Sequence, residues 1–240
     1  MSTILSKLKD NNEYYHGVGK QYLSNSDIGT LLNNPKMFGV SREDDINLSK
    51  GRLFHELLLE PDKAVNFPVI DVSSRNTKKY KEALTDDVPF MLLTKDVDEV
   101  NGYVDAINAN FIFWSLINES EHEVPAVGEL FGVQWKGKAD IVTETDIYDL
   151  KTTRNIRDFK YSARRYNYDS QAYIYQELFG KPMTFLVVCK ETLLTGSFNC
   201  SDDFIASGKE KVERAIEVYD RFFGPDSEED INSYYVSDTL

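Results

Sequence analysis

Apolar residues recur every three or four positions in the first half of the chain, which is the spacing of helices with one buried face. Short apolar runs between turn residues dominate the second half and are typical of strands. The pattern predicts an irregular lead-in over residues 1–20, helices over 22–34, 49–60, 74–86 and 94–118, a short strand over 91–93, strands over 121–127, 130–136 and 147–152, a helix over 158–179, strands over 183–190 and 194–200, and a helix from 201 or 202 to 223. This order indicates fold class α/β, a central mixed β-sheet flanked by helices, with an N-terminal helical region packed nearby.

Polar and small residues at the ends of these segments predict where elements begin and end. Ser49 and Thr94 precede helical patterns and are expected to be N-caps. Gly128 and Glu129 are expected to form the turn between the first two long strands. Gly180 suits the end of a helix, because glycine readily adopts the left-handed conformation found there.

The stretch 137–151 carries the strongest chemical signal, because two apolar runs flank a polar turn at 144–146. Asp149 and Lys151 are two residues apart, so in a strand they point to the same face. A hairpin closing at the turn brings Asp140 beside them. Carboxylates next to phosphate oxygens are the ligands that Mg²⁺ prefers. The stretch therefore predicts a metal-dependent site that cleaves phosphodiesters.

Charge is distributed unevenly along the chain. The net charge is −13, which alone argues against a protein that coats nucleic acid nonspecifically. Residues 151–165 nevertheless contain six basic residues and one acidic residue, directly after the candidate site. A local basic patch can steer phosphates to one place on an acidic protein. The alternative interpretation is the solvated start of a helix.

Length and composition narrow the class of protein. The 240 residues suit a single domain, with a helical part over 22–119, a catalytic core over 120–223 and an acidic tail over 224–240 that is expected to be mobile. Cys189 and Cys200 form no metal-binding or disulfide pattern, which favours a reducing, cytoplasmic setting. No apolar stretch is long enough to span a membrane, and the N-terminus does not resemble a secretory signal.

Two further polar residues have open interpretations. His55 lies between apolar positions of a predicted helix, where it is either a boundary histidine bonded to backbone or a metal or phosphate contact. Gln171 lies in a tyrosine-rich stripe that either is a core face or supports the site, since a buried amide needs partners.

The arrangement of Asp140, eight residues, and then Asp149-Leu150-Lys151 resembles the signature of PD-(D/E)XK nucleases. The surrounding segments resemble the exonuclease branch of that superfamily, the lambda exonuclease, RecB-nuclease and exodeoxyribonuclease VIII types. The resemblance covers about residues 22–190, and the segments that carry it are Leu23-Ser24-Asn25-Ser26, Asn34-Pro35, Gly51 with His55 and Leu59-Glu60-Pro61, Leu93-Thr94-Lys95-Asp96, and Tyr168 with Gln171 and Tyr175.

The resemblance implies a restriction-endonuclease-like core and a metal site. Asp140, Asp149 and the Leu150 carbonyl would bind one or two Mg²⁺ or Mn²⁺ ions, and His55 would ligate the metal or a terminal phosphate. Glu123 is a candidate for an outer carboxylate.

It also implies roles for the residues around the metal. Lys151 would position or deprotonate the attacking water, or offset charge on the transition state. Gln171 would orient Lys151 or that water, and Tyr175 would support its helix or contact phosphate. The residues expected to hold DNA phosphates without reading bases are Arg154, Arg157, Lys160, Arg164 and Arg165.

The function implied is a metal-dependent DNA exonuclease that degrades linear duplexes, 5′ to 3′, in phage-type recombination or DNA processing. An endonuclease and a catalytically silent nucleic-acid-binding protein are the alternatives. Relatives with an iron–sulfur cluster carry four cysteines, and this chain has two. By analogy the acidic charge suggests a closed channel formed by a ring-shaped homo-oligomer, with a single-strand annealing protein as a partner and no membrane association.

Overall fold

The computed structural model describes residues 2–40 and 44–237. Within them the α-helices are α1 (Ser2–Leu8), α2 (Asn11–Tyr15), α3 (Asn25–Asn33), α4 (Ile46–Leu59), α5 (Pro61–Ala64), α6 (Lys78–Ala83), α7 (Thr94–Ala109), α8 (Phe111–Asn118), α9 (Phe159–Arg165), α10 (Tyr168–Phe179) and α11 (Asp202–Phe222). The strands are β1 (Val69–Ile70), β2 (Leu92–Leu93), β3 (Glu121–Leu130), β4 (Val133–Val142), β5 (Ile147–Thr153), β6 (Met183–Cys189) and β7 (Thr195–Asn199). Short 3₁₀ turns occupy Val18–Gln21, Pro35–Met37 and Ile231–Ser233.

The large sheet has the order β3-β4-β5-β6-β7 and is mixed. Only the β5–β6 pair is parallel within this sheet, and it is joined by the α9–α10 crossover. The predicted fold class is therefore confirmed. A separate two-stranded parallel sheet, β1–β2, lies in the helical part.

Apolar cores cover both faces of the sheet, and alternate side chains of β6 pack into one core or the other. Phe185 and Val187 pack in the core that contains residues of α3, α10 and α11. Leu186 and Val188 pack in the core that contains residues of α4, α7 and α8. Every residue of β6 is buried, as its near-continuous apolar sequence predicts.

Strands β4 and β5 pair only near their shared turn. The register runs through Val142 opposite Ile147 and Ile141 opposite Tyr148, and then the strands part. Beyond that point, the free edge of β4 is partly covered by Leu23, whose backbone bonds with the Gln134 carbonyl and the Lys136 amide. A gap therefore opens in the sheet at residue 140.

Three predicted segments are wrong in their extent. The lead-in over 1–20 is not irregular, since it contains α1 and α2. The helix over 94–118 is broken at Asn110, whose side chain caps α8 and donates to Thr195 Oγ1 at 3.1 Å. The helix over 158–179 is broken at Asn167, which adopts a left-handed φ of 59°.

Several predicted boundaries also need correction. Helix α4 begins three residues early, because Asp45 caps it and Ser49 lies buried inside it. Thr94 is the first residue of α7, and the capping carboxylate is Asp96, which accepts from the Leu93 amide at 2.9 Å. Gly128 and Glu129 continue β3, and the turn falls at residues 131–132.

The remaining differences concern polar segments. The helix predicted over 74–86 is reduced to α6, which Thr77 caps. The acidic tail includes the last 3₁₀ turn and an ion pair between Glu229 and Arg221, while its residues 238–240 lie outside the described ranges. Among the helices described, none combines the length and apolar character needed to cross a bilayer.

Candidate active site

A cleft of about 990 Å³ opens where β4 and β5 part. Residues of α2, α4, α9 and α10 line it. Its lining includes the predicted residues His55, Asp140, Asp149, Lys151 and Gln171. Residues far apart in the chain therefore meet at one place.

Asp140 and Asp149 occupy the position at which pairing between β4 and β5 stops. Continuing the register of β4 and β5 by one step beyond Ile141 and Tyr148 places them opposite each other. Asp140 Oδ2 accepts a hydrogen bond from the Leu150 amide at 2.7 Å and lies 3.3 Å from His55 Nδ1. His55 Nε2 lies 3.1 Å from the Leu150 carbonyl oxygen. The predicted metal ligands are thus neighbours.

Asp149 is held by two polar side chains. Gln171 Nε2 donates to its Oδ1 at 2.5 Å, and Lys151 Nζ lies 2.5 Å from its Oδ2. The lysine therefore forms an ion pair with Asp149 Oδ2. Lys151 Nζ also lies 4.7 Å from the centre of the Tyr168 ring. Gln171 contacts the carboxylate directly, a role that sequence reasoning did not assign.

Glu123 joins the site through an unusual backbone conformation. The register of β3 and β4 places it opposite Asp140, yet its φ is 50°, in the left-handed region that non-glycine residues rarely adopt. Ligand atoms of His55, Glu123 and Asp140 all lie within 4.8 Å of one another. A strained residue at such a cluster is typical of functional sites.

Burial and mutual charge shift the pKa values of these groups. Burial and the charge of Asp140 raise the pKa of Asp149 to about 6, and the same two causes raise that of Glu123 to about 7. Burial opposes ionisation of Asp140, but the neighbouring His55 outweighs it and lowers the pKa. Burial disfavours charged His55, but the Asp140 carboxylate raises its pKa to about 9. Lys151 likewise has a raised pKa, because Asp149 outweighs its burial.

The donor set fits a divalent cation. Three carboxylates and one imidazole converge in the cleft, and repulsion among the carboxylates is what a bound cation would relieve. The described cluster consists of His55, Glu123 and Asp140, with Asp149 beside it. Glu123, the candidate outer carboxylate, is thus one of its three members, whereas Asp149 lies outside it. Carboxylate-rich sites suit Mg²⁺ and Mn²⁺.

Tyr175 is buried and holds β4. Its hydroxyl donates to the Lys138 carbonyl at 3.1 Å and accepts from the Lys138 amide at 3.3 Å. Its ring lies against Gly137, where an added Cβ would come within 2.9 Å of it. These contacts support α10 against the sheet.

The predicted phosphate contacts do not form one cluster. Arg154 lines the cleft and pairs with Glu191 Oε1 at 2.8 Å. Lys160 and Arg164 line a second cavity. Arg157 and Arg165 are exposed and line neither of these two spaces.

Sequence reasoning missed the wall that α2 builds beside the cleft. Lys138 Nζ donates to Asn11 Oδ1 at 2.7 Å and lies 4.6 Å from the centre of the Tyr14 ring. Burial lowers the pKa of Lys138. The alternation of Lys136, Lys138 and Asp140 was the available signal, since alternate strand residues share a side.

The fold and the site together define a chain of the PD-(D/E)XK nuclease superfamily. A family model described as "PDDEXK-like domain of unknown function (DUF3799)" matches residues 36–228, and the chain belongs to that family. No curated protein matches the sequence.

One solved structure shares the fold. A "putative exonuclease" from Eubacterium rectale is 21% identical, with a TM-score of 0.65, over 87% of this chain and 85% of that one. A "phage related exonuclease" from Haemophilus somnus 129PT is 15% identical, over 88% of this chain and 97% of that one. The TM-score for that structure is 0.37.

Proposed function

We propose that the chain is a Mg²⁺- or Mn²⁺-dependent DNA exonuclease that hydrolyses linear duplexes, 5′ to 3′, in phage-type recombination or DNA processing. The observation that carries the proposal is the pair of opposed carboxylates, Asp140 and Asp149, with Lys151 against one and His55 against the other. Membership of the PD-(D/E)XK superfamily supports the same chemistry.

His55, Glu123 and Asp140 would hold the cation, with Asp149 beside them. When bound, a divalent ion polarises the scissile phosphate and lowers the pKa of coordinated water toward neutrality. In hydrolysis, the water oxygen bonds to phosphorus, one phosphodiester P–O bond breaks, and the leaving oxygen gains a proton.

Lys151 would act as a fixed positive charge. The Asp149 carboxylate raises its pKa, which favours the ammonium form. Its contribution is to hydrogen-bond the attacking water and to offset the negative charge that grows on the phosphate oxygens. Gln171 would hold Asp149 in place for this step.

The exonuclease assignment goes beyond the chemistry of the site. Its support is the fold shared with the Eubacterium rectale "putative exonuclease". An endonuclease of the same fold is the second candidate. A silent binding protein is disfavoured, because Asp140, Asp149, Lys151 and Gln171 are all in place. A ring-shaped homo-oligomer and an annealing partner belong to the proposal by analogy only.

One digestion experiment tests the activity. Linear duplex labelled at either the 5′ or the 3′ end, and covalently closed circular duplex, are incubated with Mg²⁺. We expect label to be released first from the 5′ end, and the circle to stay intact. Cutting of the circle would instead establish the endonuclease. Absence of both Mg²⁺-dependent cleavage and calorimetric Mg²⁺ or Mn²⁺ binding would favour the silent protein.

Variants link the activity to the site. Asp149→Ala and Lys151→Ala should abolish nucleotide release, and retained activity in both would refute the assignment. The matched controls are Asp105→Ala and Lys95→Ala, which change exposed residues of α7 outside the cleft and should remain active.

A further inference from the structure

A second cavity of about 320 Å³ adjoins the active-site cleft. Its lining is aromatic, with side chains from α9, β6, β7 and α11, namely Phe159, Phe185, Phe198, Phe204 and Tyr161. The volume lies at the lower end of the roughly 300–1,000 Å³ range of small-molecule sites. Such a lining suits a flat, unsaturated ring.

Two cations are part of the same lining. The Arg164 guanidinium lies 5.2 Å from the centre of the Phe204 ring, and Lys160 Nζ lies 4.9 Å from that of Tyr161. In a chain of net charge −13, this combination selects an occupant that joins an aromatic ring to an anion. A nucleotide has both parts.

The cavity borders the cleft, since Phe159 lines both. Phe185 lies opposite Asp149 in the register of β5 and β6, and its ring centre is 6.0 Å from Lys151 Nζ. A DNA strand with its backbone at the carboxylates would therefore have a nucleotide within reach of the cavity.

We propose that this cavity binds an unpaired nucleobase of the DNA strand that occupies the cleft, with the adjoining phosphate held by Lys160 and Arg164. The proposal rests on the proposed nuclease function. Stacking on aromatic rings tolerates any base, so the cavity would hold the strand without reading its sequence. An acidic peptide with an aromatic residue has similar chemistry, but nothing links it to the cleft.

Binding experiments with base-containing and abasic extensions test the proposal. The probes are a blunt duplex, duplexes with a three-nucleotide 5′ or 3′ extension, and the same duplexes with abasic extensions. Affinities are measured by fluorescence anisotropy with Ca²⁺ replacing Mg²⁺, to prevent hydrolysis. The variants are Tyr161→Ala and Arg164→Ala, both of exposed residues, and Arg214→Ala is the control, an exposed arginine of α11 outside both spaces. Thermal unfolding confirms that each variant is folded.

We expect the wild type to bind a base-containing extension about tenfold more tightly than its abasic counterpart, given the usual strength of base stacking. Tyr161→Ala and Arg164→Ala should reduce that ratio, whereas Arg214→Ala should retain it. A 5-iodouracil in the extension should crosslink to the peptide containing Tyr161 or Phe204, as identified by mass spectrometry.

Other results would overturn the proposal in distinguishable ways. Equal affinities in the wild type, together with normal cleavage of blunt duplex, would refute the base-binding cavity and leave the nuclease intact. A ratio that persists in both variants would place the base elsewhere. Failure to bind any probe would refute both proposals. If an acidic, phenylalanine-containing peptide bound in an Arg164-dependent manner while the oligonucleotides did not, the cavity would belong to a protein partner.

Discussion

Asp140 takes the place of a backbone acceptor, because its Oδ2 receives the Leu150 amide proton at 2.7 Å where the β4–β5 ladder ends. One carboxylate thus both ends the strand pairing and faces the site. An amide that is bonded to a side chain is not available to the neighbouring strand. The opening of the cleft is therefore linked to the residue that would bind the metal.

Asp140→Asn separates these two functions. The amide oxygen can still accept from Leu150, so the fold should be kept, while activity should fall at least about a hundredfold. In the metal-free protein the pKa of His55, raised to about 9 beside Asp140, should fall because burial then acts with less opposition. NMR titration of the histidine side chains measures this shift, with His16 and His122 as internal references. An unchanged His55 pKa would contradict the pairing.

The placement of Asp140, Asp149 and Lys151 on the β4–β5 hairpin could be predicted from sequence because it is local. The alternation of Asp149 and Lys151 and a polar turn before them are enough to bring Asp140 close. The same holds for β6, whose apolar run predicted full burial. Site residues on one hairpin are therefore accessible to reasoning about spacing.

The features that sequence did not reveal depend on distant contacts. Asn110 breaks a helical pattern while bonding with Thr195, 85 residues away. Helix α2 has no long apolar stripe, and it is placed by contacts of Tyr14 and Asn11 with β4. No residue type signals the left-handed φ of Glu123, since glycine is the usual choice there.

Gln171→Ala should lower kcat rather than KM. The amide donates to Asp149 Oδ1, and the loss of a residue that positions a ligand typically costs roughly 10- to 100-fold. Gln171→Glu should be more damaging, because a second carboxylate beside Asp149 would raise its pKa further above about 6. Steady-state kinetics check both variants, with Gln176→Ala on the same helix as the control. If Gln176→Ala changed kcat and KM as much as Gln171→Ala does, Gln171 would have no specific role at the site.

Tyr175→Phe should affect stability more than activity. The variant leaves the amide and carbonyl of Lys138 without their buried partner, at a cost of about 1–3 kcal/mol in the free energy of unfolding. Urea unfolding measures this loss. The activity of the folded fraction should stay within about twofold of the wild type, because the phenol contacts backbone. A large fall in kcat with unchanged stability would instead support phosphate contact.

Asp96 should make stability depend on pH. Burial alone would raise its pKa, but the Leu93 amide, Arg75 and Lys50 together lower it below 3.8. A group with a lowered folded-state pKa stabilises the fold above its unfolded pKa, and this stabilisation is lost as pH falls through the folded value.

Asp96→Asn should therefore be less stable than the wild type by about 1–3 kcal/mol at pH 7, and the difference should shrink below pH 3.8. Denaturant unfolding over a range of pH follows the difference between the two proteins. Asp98→Asn, at an exposed position on the same helix, is the control. A constant difference at all pH values would exclude the charge as the cause.

Glu123→Gly should raise the stability of the fold and lower the affinity for metal. The backbone strain of a non-glycine residue at φ 50° destabilises the fold by on the order of 1–3 kcal/mol, and glycine relieves most of it. Part of this gain in stability is offset, because glycine makes the unfolded chain more flexible. We expect about 1 kcal/mol of added stability and weaker Mn²⁺ binding by calorimetry. Leu193→Gly is the matched control, since φ is 57° there and the side chain is exposed outside the cleft. It should gain stability without losing metal affinity. If Glu123→Gly bound Mn²⁺ as tightly as the wild type, Glu123 would not be a ligand.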